Sequence, residues 1–218
     1  MDILVCDVGG TGVKILATDQ PKRRKLPSGP TMDAKAMVEG VKELAEGWKW
    51  DAISIGYPGP VVHGKIMIEP ANLGKGWVGF NFEEAFGCPV RIVNDAAMQA
   101  LGSYHDGRML FMGLGTGLGT AMIVDGVMQP MEAGHLPYKD GKTYEDFLGK
   151  RGFAELGKKK WLKAVMDVIE RFKHALEPDY IVLGGGNAKK LKQEDLPDYC
   201  ELGSNANAFV GGFRLWDQ

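Results

Sequence analysis

The chain has 218 residues, 44% of them hydrophobic, which is enough for one large domain or two small domains with buried cores. Its formal net charge of −2 argues against a nucleic-acid-binding protein, because such proteins present a basic face. The three scattered cysteines form no CxxC pair, which is typical of neither a cysteine-based zinc site nor a disulfide scaffold. No signal peptide or transmembrane segment is visible, so we expect a cytoplasmic protein without membrane or nucleic-acid partners.

Strands and helices alternate through the first half of the chain. Apolar runs bounded by turn residues predict strands, and apolar residues three and four positions apart predict helices. The helix that contains Met37 and Val41 has Thr31 or Asp33 as a candidate N-cap. The predicted strands are 3–7, 13–18, a third near 22–25, 52–57, 65–68 and 90–94, and a second helix is predicted over 96–103.

The second half repeats the order of the first. Strands are predicted over 108–114, 120–124 and 180–183, and helices over 144–148, 159–176 and 205–216. Both halves begin with a strand, a turn rich in Gly and Thr, and another strand, which indicates an internal repeat. We therefore predict an N-terminal α/β domain, 1–107, joined by a C-terminal helix, 203–218, and a second α/β domain, 108–202.

The two glycine-rich turns are candidate phosphate sites, since glycines let an anion approach backbone N–H groups and a Thr hydroxyl adds a donor. The first turn lies between Asp7 and Lys14, and Asp7 is an acid that could hold Mg²⁺, often through water. The second lies between Gly115 and Gly119. Neither ends in the Gly-Lys-Ser/Thr of a P-loop, and the second continues as a strand, unlike a dinucleotide fingerprint. Ordinary tight hairpins remain the alternative.

Asn94 and Asp95 end an apolar strand just before a helix. Ligand sites collect at the carboxyl ends of strands in α/β sheets, and an Asp there could accept a proton from an attacking hydroxyl. Either residue could instead cap the helix that begins at Ala96.

These motifs together resemble the ROK family of sugar kinases, and especially its polyphosphate glucokinase branch. The matching segments are 7–14, 56–61, 72–77, 94–102, 114–119, 132–135, 144–149 and 184–187, in collinear order along nearly the whole chain. The resemblance implies an α/β fold of two actin-like ATPase (ribonuclease H-like) domains around a central cleft. It also implies a hexose kinase that transfers a phosphoryl group from polyphosphate or ATP to the 6-hydroxyl of glucose or a related hexose.

The resemblance assigns roles by position. It makes Asp95 the general base, and Mg²⁺ would be held by Asp7. The residues at the donor phosphates would be Asp7, Gly9, Gly10, Thr11, Lys14, Gly115, Thr116 and Gly117. The residues at the sugar hydroxyls would be Asn72, Asn94, Glu132, His135 and Glu145, whose groups supply mixed donors and acceptors. Gly184, Gly185 and Gly186 would lie against a nucleoside, if the donor has one.

The sequence departs from the family pattern after His135. Many members carry zinc-binding cysteines there, whereas the stretch from Leu136 to Thr143 has none, so no zinc site is expected. The short second half leaves the donor open between polyphosphate and ATP. The basic runs 22–25 and 158–160 are solvated faces or guides for a polyanion. Family kinases are often dimers, and a homodimer is one possibility for this chain.

Two other readings use the same residues. A sugar sensor would keep the fold without catalysis, although it would not need Asp7, Asp95 and both turns. An ATPase or polyphosphatase acting on water would not need Glu132 or His135.

Overall fold

The computed structural model describes residues 1–217 and divides the chain into two compact units. Unit 1 comprises Met1–Met98 with the chain from Ala208 onward, and unit 2 comprises Gln99–Asn207. The predicted domain boundary near Gly107 stays a prediction. Residue 218, the last of the predicted C-terminal helix, lies outside the described residues. None of the helices within 1–217 has the length and hydropathy needed to span a bilayer.

Unit 1 contains a five-stranded sheet. In chain order its elements are β1 (Ile3–Gly9), β2 (Gly12–Ala17), β3 (Arg24–Leu26), α1 (Ala34–Leu44), β4 (Ala52–Tyr57), β5 (Val61–Val62), β6 (Lys65–Ile66), α2 (Phe82–Phe86), β7 (Val90–Asn94) and the start of α3 (Asp95–Ser103). The sheet order is β3-β2-β1-β4-β7, and β5 and β6 form a separate hairpin. Strands β1, β4 and β7 are parallel, whereas β2 and β3 run antiparallel to their neighbours.

Alternate residues of β1 face opposite sides of this sheet, as the two-residue period of a strand requires. Leu4 and Cys6 pack with Met37 of α1 in one core, whereas Ile3 packs with Phe209 on the other side. Phe209 belongs to α6 (Asn207–Arg214), which therefore covers one face of the sheet in unit 1.

Unit 2 contains a second five-stranded sheet. Its elements are β8 (Arg108–Leu114), β9 (Leu118–Val124), β10 (Val127–Met131), β11 (Pro137–Lys139), β12 (Lys142–Thr143), α4 (Tyr144–Leu148), α5 (Lys150–Leu176), β13 (Tyr180–Gly184) and β14 (Cys200–Leu202). The sheet order is β10-β9-β8-β13-β14, and β11 and β12 form a separate hairpin. The buried face of α5, which includes Trp161, Val165 and Ile169, packs on this sheet.

The two sheets have the same topology. Each begins with three antiparallel strands, the fourth strand adds in parallel beside the first, and the fifth adds in parallel beside the fourth. The internal repeat and the α/β class predicted from the sequence are confirmed.

Several predicted elements have different limits in the structure. The helix predicted from residue 159 begins at Lys150, and Gly157 interrupts it with φ of 70° and ψ of 164°. This interruption explains the late predicted start, because the apolar period is lost where the backbone leaves the helical region. The strand predicted over 65–68 is only the two-residue β6, and the third strand begins at Arg24. Of the two candidate caps of α1, Asp33 accepts from the Ala36 N–H at 2.7 Å.

Candidate active site

The first glycine-rich turn is a tight hairpin between β1 and β2. Gly9 and Gly12 are cross-strand partners, and Gly10 and Thr11 form the turn. Within residues 1–217 the N–H groups of Gly10 and Thr11 donate to no acceptor, so they are available to an anion. The hydroxyl of Ser28 donates to the carbonyl of Gly9 at 2.5 Å and anchors the strand end. Ser28 was not among the site residues predicted from the sequence. The only local signal for its role is its place in a Pro-Ser-Gly-Pro turn.

Asp7 and Lys14 face each other across the same hairpin. They are cross-strand partners, and the Lys14 Nζ lies 2.7 Å from the Asp7 Oδ2. Their side chains are only 17% and 32% exposed, so the pair is partly shielded from solvent. Each therefore holds the other beside the turn, with the ammonium close to where donor phosphate is predicted.

Asp95 lies at the carboxyl end of the parallel strands of unit 1. Asp7 of β1 pairs with Gly56 of β4, and Gly56 pairs with Val93 of β7, two residues before Asp95. Adjacent strands are about 4.8 Å apart, so β1 and β7 lie about 10 Å apart at this edge. A Cβ added at Gly56 would clash with the Met98 Cε and lie 3.5 Å from the Asp95 Cα, so the glycine lets α3 pack closely against this strand end.

Asn94 carries most of the capping of α3. Its Oδ1 accepts from the N–H groups of Ala96 at 2.9 Å and Ala97 at 3.2 Å, and its Nδ2 donates to the Gly59 carbonyl at 3.1 Å. The Oδ1 of Asp95 also accepts from Ala96, at 2.7 Å. Because Asn94 already bonds through both ends of its amide, it fixes the strand end and the loop beside it.

Asn72 is held close to the first turn. A Cβ added at Gly10 would lie 3.0 Å from the Cβ of Asn72, so only glycine fits there without a shift of the loop. Buried Leu73 and Trp77 anchor this loop in the core. The carboxylate of Glu69 accepts from the Trp77 N–H at 3.0 Å, and this bond is the main cause that lowers the Glu69 pKa.

The second glycine-rich turn joins β8 to β9. Leu114 and Leu118 are partners, which leaves Gly115, Thr116 and Gly117 as the turn. The N–H of Lys150, at the start of α5, donates to the carbonyls of Gly115 and Thr116, each at 3.0 Å. Within the described chain the N–H groups of Thr116 and Gly117 donate to no acceptor. The turn thus has its carbonyls bonded and two N–H groups available for an anion.

Glu132, His135 and Glu145 form one cluster beside this turn. The His135 ring nitrogens lie 4.0 Å from Glu132 Oε2 and 3.8 Å from Glu145 Oε1. The other oxygen of Glu145 accepts from the Leu118 N–H at 3.3 Å. Burial raises the pKa of Glu132, His135 opposes this shift, and Glu145 adds to it. The cluster presents carboxylate and imidazole groups that can bind vicinal hydroxyls.

Strand β13 ends at Gly184, and Gly185 and Gly186 follow it. Asn187 links this segment to the second glycine-rich turn. Gly185 has φ of 81°, and Gly186 is exposed. Asn187 is 9% exposed, and its backbone N–H donates to the Leu114 carbonyl at 2.7 Å. Its Nδ2 donates to Gly115 O at 3.0 Å, and its Oδ1 accepts from Lys190 Nζ at 2.6 Å. The sequence places Asn187 after the glycine run, but nothing in that pattern reveals this link.

The predicted site residues form two groups, one in each unit. Those of unit 1 lie around the first turn and the carboxyl strand edge: Asp7, Gly9, Gly10, Thr11, Lys14, Asn72, Asn94 and Asp95. Those of unit 2 lie around the second turn: Gly115, Thr116, Gly117, Glu132, His135, Glu145 and Gly184–Gly186.

Within residues 1–217, no group of three or more His, Cys, Asp or Glu side chains is arranged to hold a metal ion. Asp7 still fits Mg²⁺, because this ion keeps several waters and takes one or two carboxylates together with substrate phosphates. Only Oδ2 of Asp7 is engaged by Lys14, which leaves Oδ1 for a magnesium-bound water.

Two sheets of identical topology, each opened by a Gly/Thr hairpin, define the class of fold as actin-like ATPase. The chain resembles the polyphosphate/ATP-glucomannokinase from Arthrobacter sp. strain KM with a TM-score of 0.77 and 23% identity, over 97% of this chain and 96% of that one. It also resembles a ROK glucokinase from Streptomyces griseus in complex with glucose and AMPPNP, with a TM-score of 0.73 and 16% identity, over 99% of each chain.

The chain belongs to the ROK family, whose family model matches residues 3–151. It is 31% identical over 210 residues to the polyphosphate glucokinase of Mycobacterium tuberculosis, an alignment that covers 84% of this chain and 77% of that protein. The chain is therefore a glucokinase-like phosphotransferase, as the sequence motifs predicted.

Proposed function

We propose that this protein is a hexose kinase that transfers a phosphoryl group from polyphosphate or ATP to the 6-hydroxyl of glucose or a related hexose. The observation that carries the proposal is the position of Asp95 at the carboxyl edge of the strands that also hold Asp7 and the first turn. The relatives named polyphosphate glucokinase support this choice of reaction and substrate.

Asp95 acts as the general base. It accepts the proton of the sugar hydroxyl as that oxygen attacks the terminal phosphorus, and so makes the oxygen a better nucleophile. Because Asn94 accepts from both Ala96 and Ala97, the cap of α3 does not depend on the Asp95 carboxylate alone. This favours catalysis over capping as the reason for an acid at this position.

The two turns and the cluster beside the second turn position the substrates. The N–H groups of Gly10, Thr11, Thr116 and Gly117 bind donor phosphate oxygens, and Lys14 adds a positive charge. Phosphoryl transfer is mostly positioning and charge neutralisation, so these donors supply much of the catalysis. Mg²⁺, held through Asp7 by water, would offset negative charge on the donor.

Glu132, His135, Glu145, Asn72 and Asn94 set the preference for the sugar. Aligned hydrogen bonds to individual hydroxyls disfavour an analogue that lacks one, because the protein group then loses that partner. Burial raises the pKa of Glu132, and its carboxylate oxygens can accept hydrogen bonds from sugar hydroxyls. Gly184–Gly186 would lie against a nucleoside when ATP is the donor.

The test is the purified protein with glucose and Mg²⁺, with ATP and polyphosphate compared as donors and glucose 6-phosphate measured. Asp95→Asn keeps an Oδ1 acceptor for Ala96, so we expect normal stability and sugar binding. Its kcat should fall by about 10²–10⁴-fold, the usual contribution of general base catalysis. Asp33→Asn is the matched control, since it likewise changes a carboxylate that accepts from a backbone N–H at a helix start.

An Asp95→Asn variant that kept more than about a tenth of the wild-type kcat would contradict the base assignment, since the barrier would rise by less than ~1.4 kcal/mol. Sugar binding without product from either donor, across several hexoses, would indicate a sensor instead. Donor consumption that does not require sugar would indicate a phosphatase.

A further inference from the structure

A small pocket of unit 2 lies between the β11–β12 hairpin, α4 and α5. Its volume is about 230 Å³. It is lined by four aromatic or aliphatic side chains and three lysines: Tyr138, Phe147, Leu156, Ala164, Lys139, Lys160 and Lys163. None of these residues belongs to the groups assigned above to sugar, phosphate or base.

The lysines of this pocket differ in their partners. Lys139 is neutralised by Asp167, whose Oδ2 lies 3.0 Å from the Lys139 Nζ. Lys160 and Lys163, in contrast, form no ion pair or hydrogen bond with any residue in the described part of the chain. They are three positions apart on α5, where like charges repel each other. An anion in the pocket would remove this repulsion.

The surrounding surface is also strongly basic. Residues 150–163 contain six Lys or Arg and one Glu, although the whole chain has a formal charge of −2. The one acid, Glu155, is already engaged by Lys142 at 3.3 Å and Arg151 at 2.8 Å. A segment with this excess of positive charge attracts polyanions.

This basic segment begins at the second glycine-rich turn. The Lys150 N–H donates to the turn carbonyls of Gly115 and Thr116. Lys160 follows ten residues later, a separation on the order of 15 Å at the 1.5 Å per residue of a helix. Gly157, with φ of 70° and ψ of 164°, interrupts α5 between the two positions. An anion that occupies both places must be extended and charged along its length.

We propose that the pocket around Lys160 and Lys163 is a distal subsite for long-chain inorganic polyphosphate. The chain terminus would lie at the second turn while later phosphate groups bind the pocket. The subsite raises affinity for long donors without contact with the reacting phosphorus. This inference rests on the proposed phosphotransferase function and deepens it, since it makes the enzyme sensitive to donor length.

Binding can be tested without turnover. We would measure, by calorimetry, the affinity of the full chain for tripolyphosphate and for long-chain polyphosphate, in the wild type and in a Lys160→Gln/Lys163→Gln double variant. Two exposed charge contacts predict a roughly five- to tenfold loss of affinity for the long chain. Tripolyphosphate affinity should change by less than about twofold, and the salt dependence for the long chain should become shallower. Lys49→Gln/Lys65→Gln, which removes two exposed lysines of unit 1 that form no ion pair within residues 1–217, is the matched control and should show neither effect.

The double variant should fold, because it removes a repulsive pair and no hydrogen bond; thermal unfolding checks this. Equal long-chain affinity in a folded double variant would overturn the proposal. Equally tight binding of a single-stranded oligonucleotide to the same lysines would overturn the assignment to polyphosphate. In activity assays, absence of product from every donor contradicts the proposed function alone. Product with an unchanged dependence on donor length contradicts the subsite alone.

Discussion

Asn187→Ala tests whether the second glycine-rich turn is positioned by its neighbours. The change removes the hydrogen bond from Asn187 Nδ2 to Gly115 O and the acceptor of Lys190. One neutral bond is worth about 1 kcal/mol and one charge-assisted bond about 1.5–3 kcal/mol. Gly115 O still accepts from Lys150, and the Lys190 ammonium can turn to solvent, so we expect a loss of about 2 kcal/mol in unfolding free energy.

The functional effect should be confined to the donor. A turn released from Asn187 loses the fixed geometry of its N–H groups, so KM for the donor should rise several-fold while sugar affinity stays the same. Asn187→Asp separates the two bonds, because its carboxylate still accepts from Lys190 but repels the Gly115 carbonyl. This variant should therefore raise the donor KM at least as much as Asn187→Ala, with a smaller loss of stability.

Urea unfolding and steady-state kinetics with the donor varied are the assays. Asn207→Ala is the matched control, because it removes one amide bond in unit 2, to the Ser103 hydroxyl at 2.9 Å. This control should lose a little stability and keep its donor KM. If Asn187→Ala loses stability but keeps its donor KM within about twofold, Asn187 is only structural. If it loses neither, the reasoning from its hydrogen bonds is wrong.

Three further changes test other parts of the structure. Asp167→Asn should lower stability at neutral pH by about 1 kcal/mol: a drop of its pKa from 3.8 to about 2 corresponds to ~2.5 kcal/mol, and partial exposure of the side chain (38%) screens part of this. This stabilisation is present above about pH 4 and is lost as the pH falls towards 2, so the two unfolding curves should converge in acid. Gly10→Ala should displace Asn72 and raise the sugar KM several-fold, whereas Gly29→Ala, with open space around it, should not. Ser54→Ala removes a fully buried hydroxyl that makes two hydrogen bonds with the C-terminal segment, and should cost about 2 kcal/mol in urea unfolding.

Each of these has a clear contrary outcome. A constant stability gap for Asp167→Asn down to about pH 3 would mean that its charge does not contribute. An unchanged sugar KM in Gly10→Ala would mean that the Asn72 loop can move without consequence. A loss below about 0.5 kcal/mol for Ser54→Ala would mean that water replaces the hydroxyl.

Much of the fold could be predicted because it depends on local periodicity. The strand limits Ala52–Tyr57, Val90–Asn94 and Arg108–Leu114 match the structure, since each is an apolar run bounded by turn residues or by a helix start. The repeat of strand, Gly/Thr turn and strand predicted two similar halves, and both sheets have the same order. Strand β14, with three residues and one buried side chain, has too little pattern to be found in this way.

The candidate site could be predicted only where a residue type carries its own chemistry. The glycines of the two turns and the acid after β7 are such residues, because an exposed backbone N–H and a carboxylate each indicate a function by themselves. Ser28, Glu69 and Asn187 act through partners 19, 8 and 72 residues away, and no local pattern encodes such a pairing. The charge on Lys160 was visible in the sequence, but the pocket beneath it depends on Phe147 and Leu156, which only the folded chain brings together.

Helix α6 has a consequence for the order in which the protein folds. Unit 1 is discontinuous, because Phe209 and its neighbours complete the core around Ile3 and Val5 only after unit 2 has passed through the ribosome. Unit 2 is one uninterrupted stretch, so during synthesis its sheet can close first, while a face of the earlier sheet stays uncovered until α6 is made. Strand β1 is translated first, yet its contacts with α6 form only when the C-terminal segment has been made.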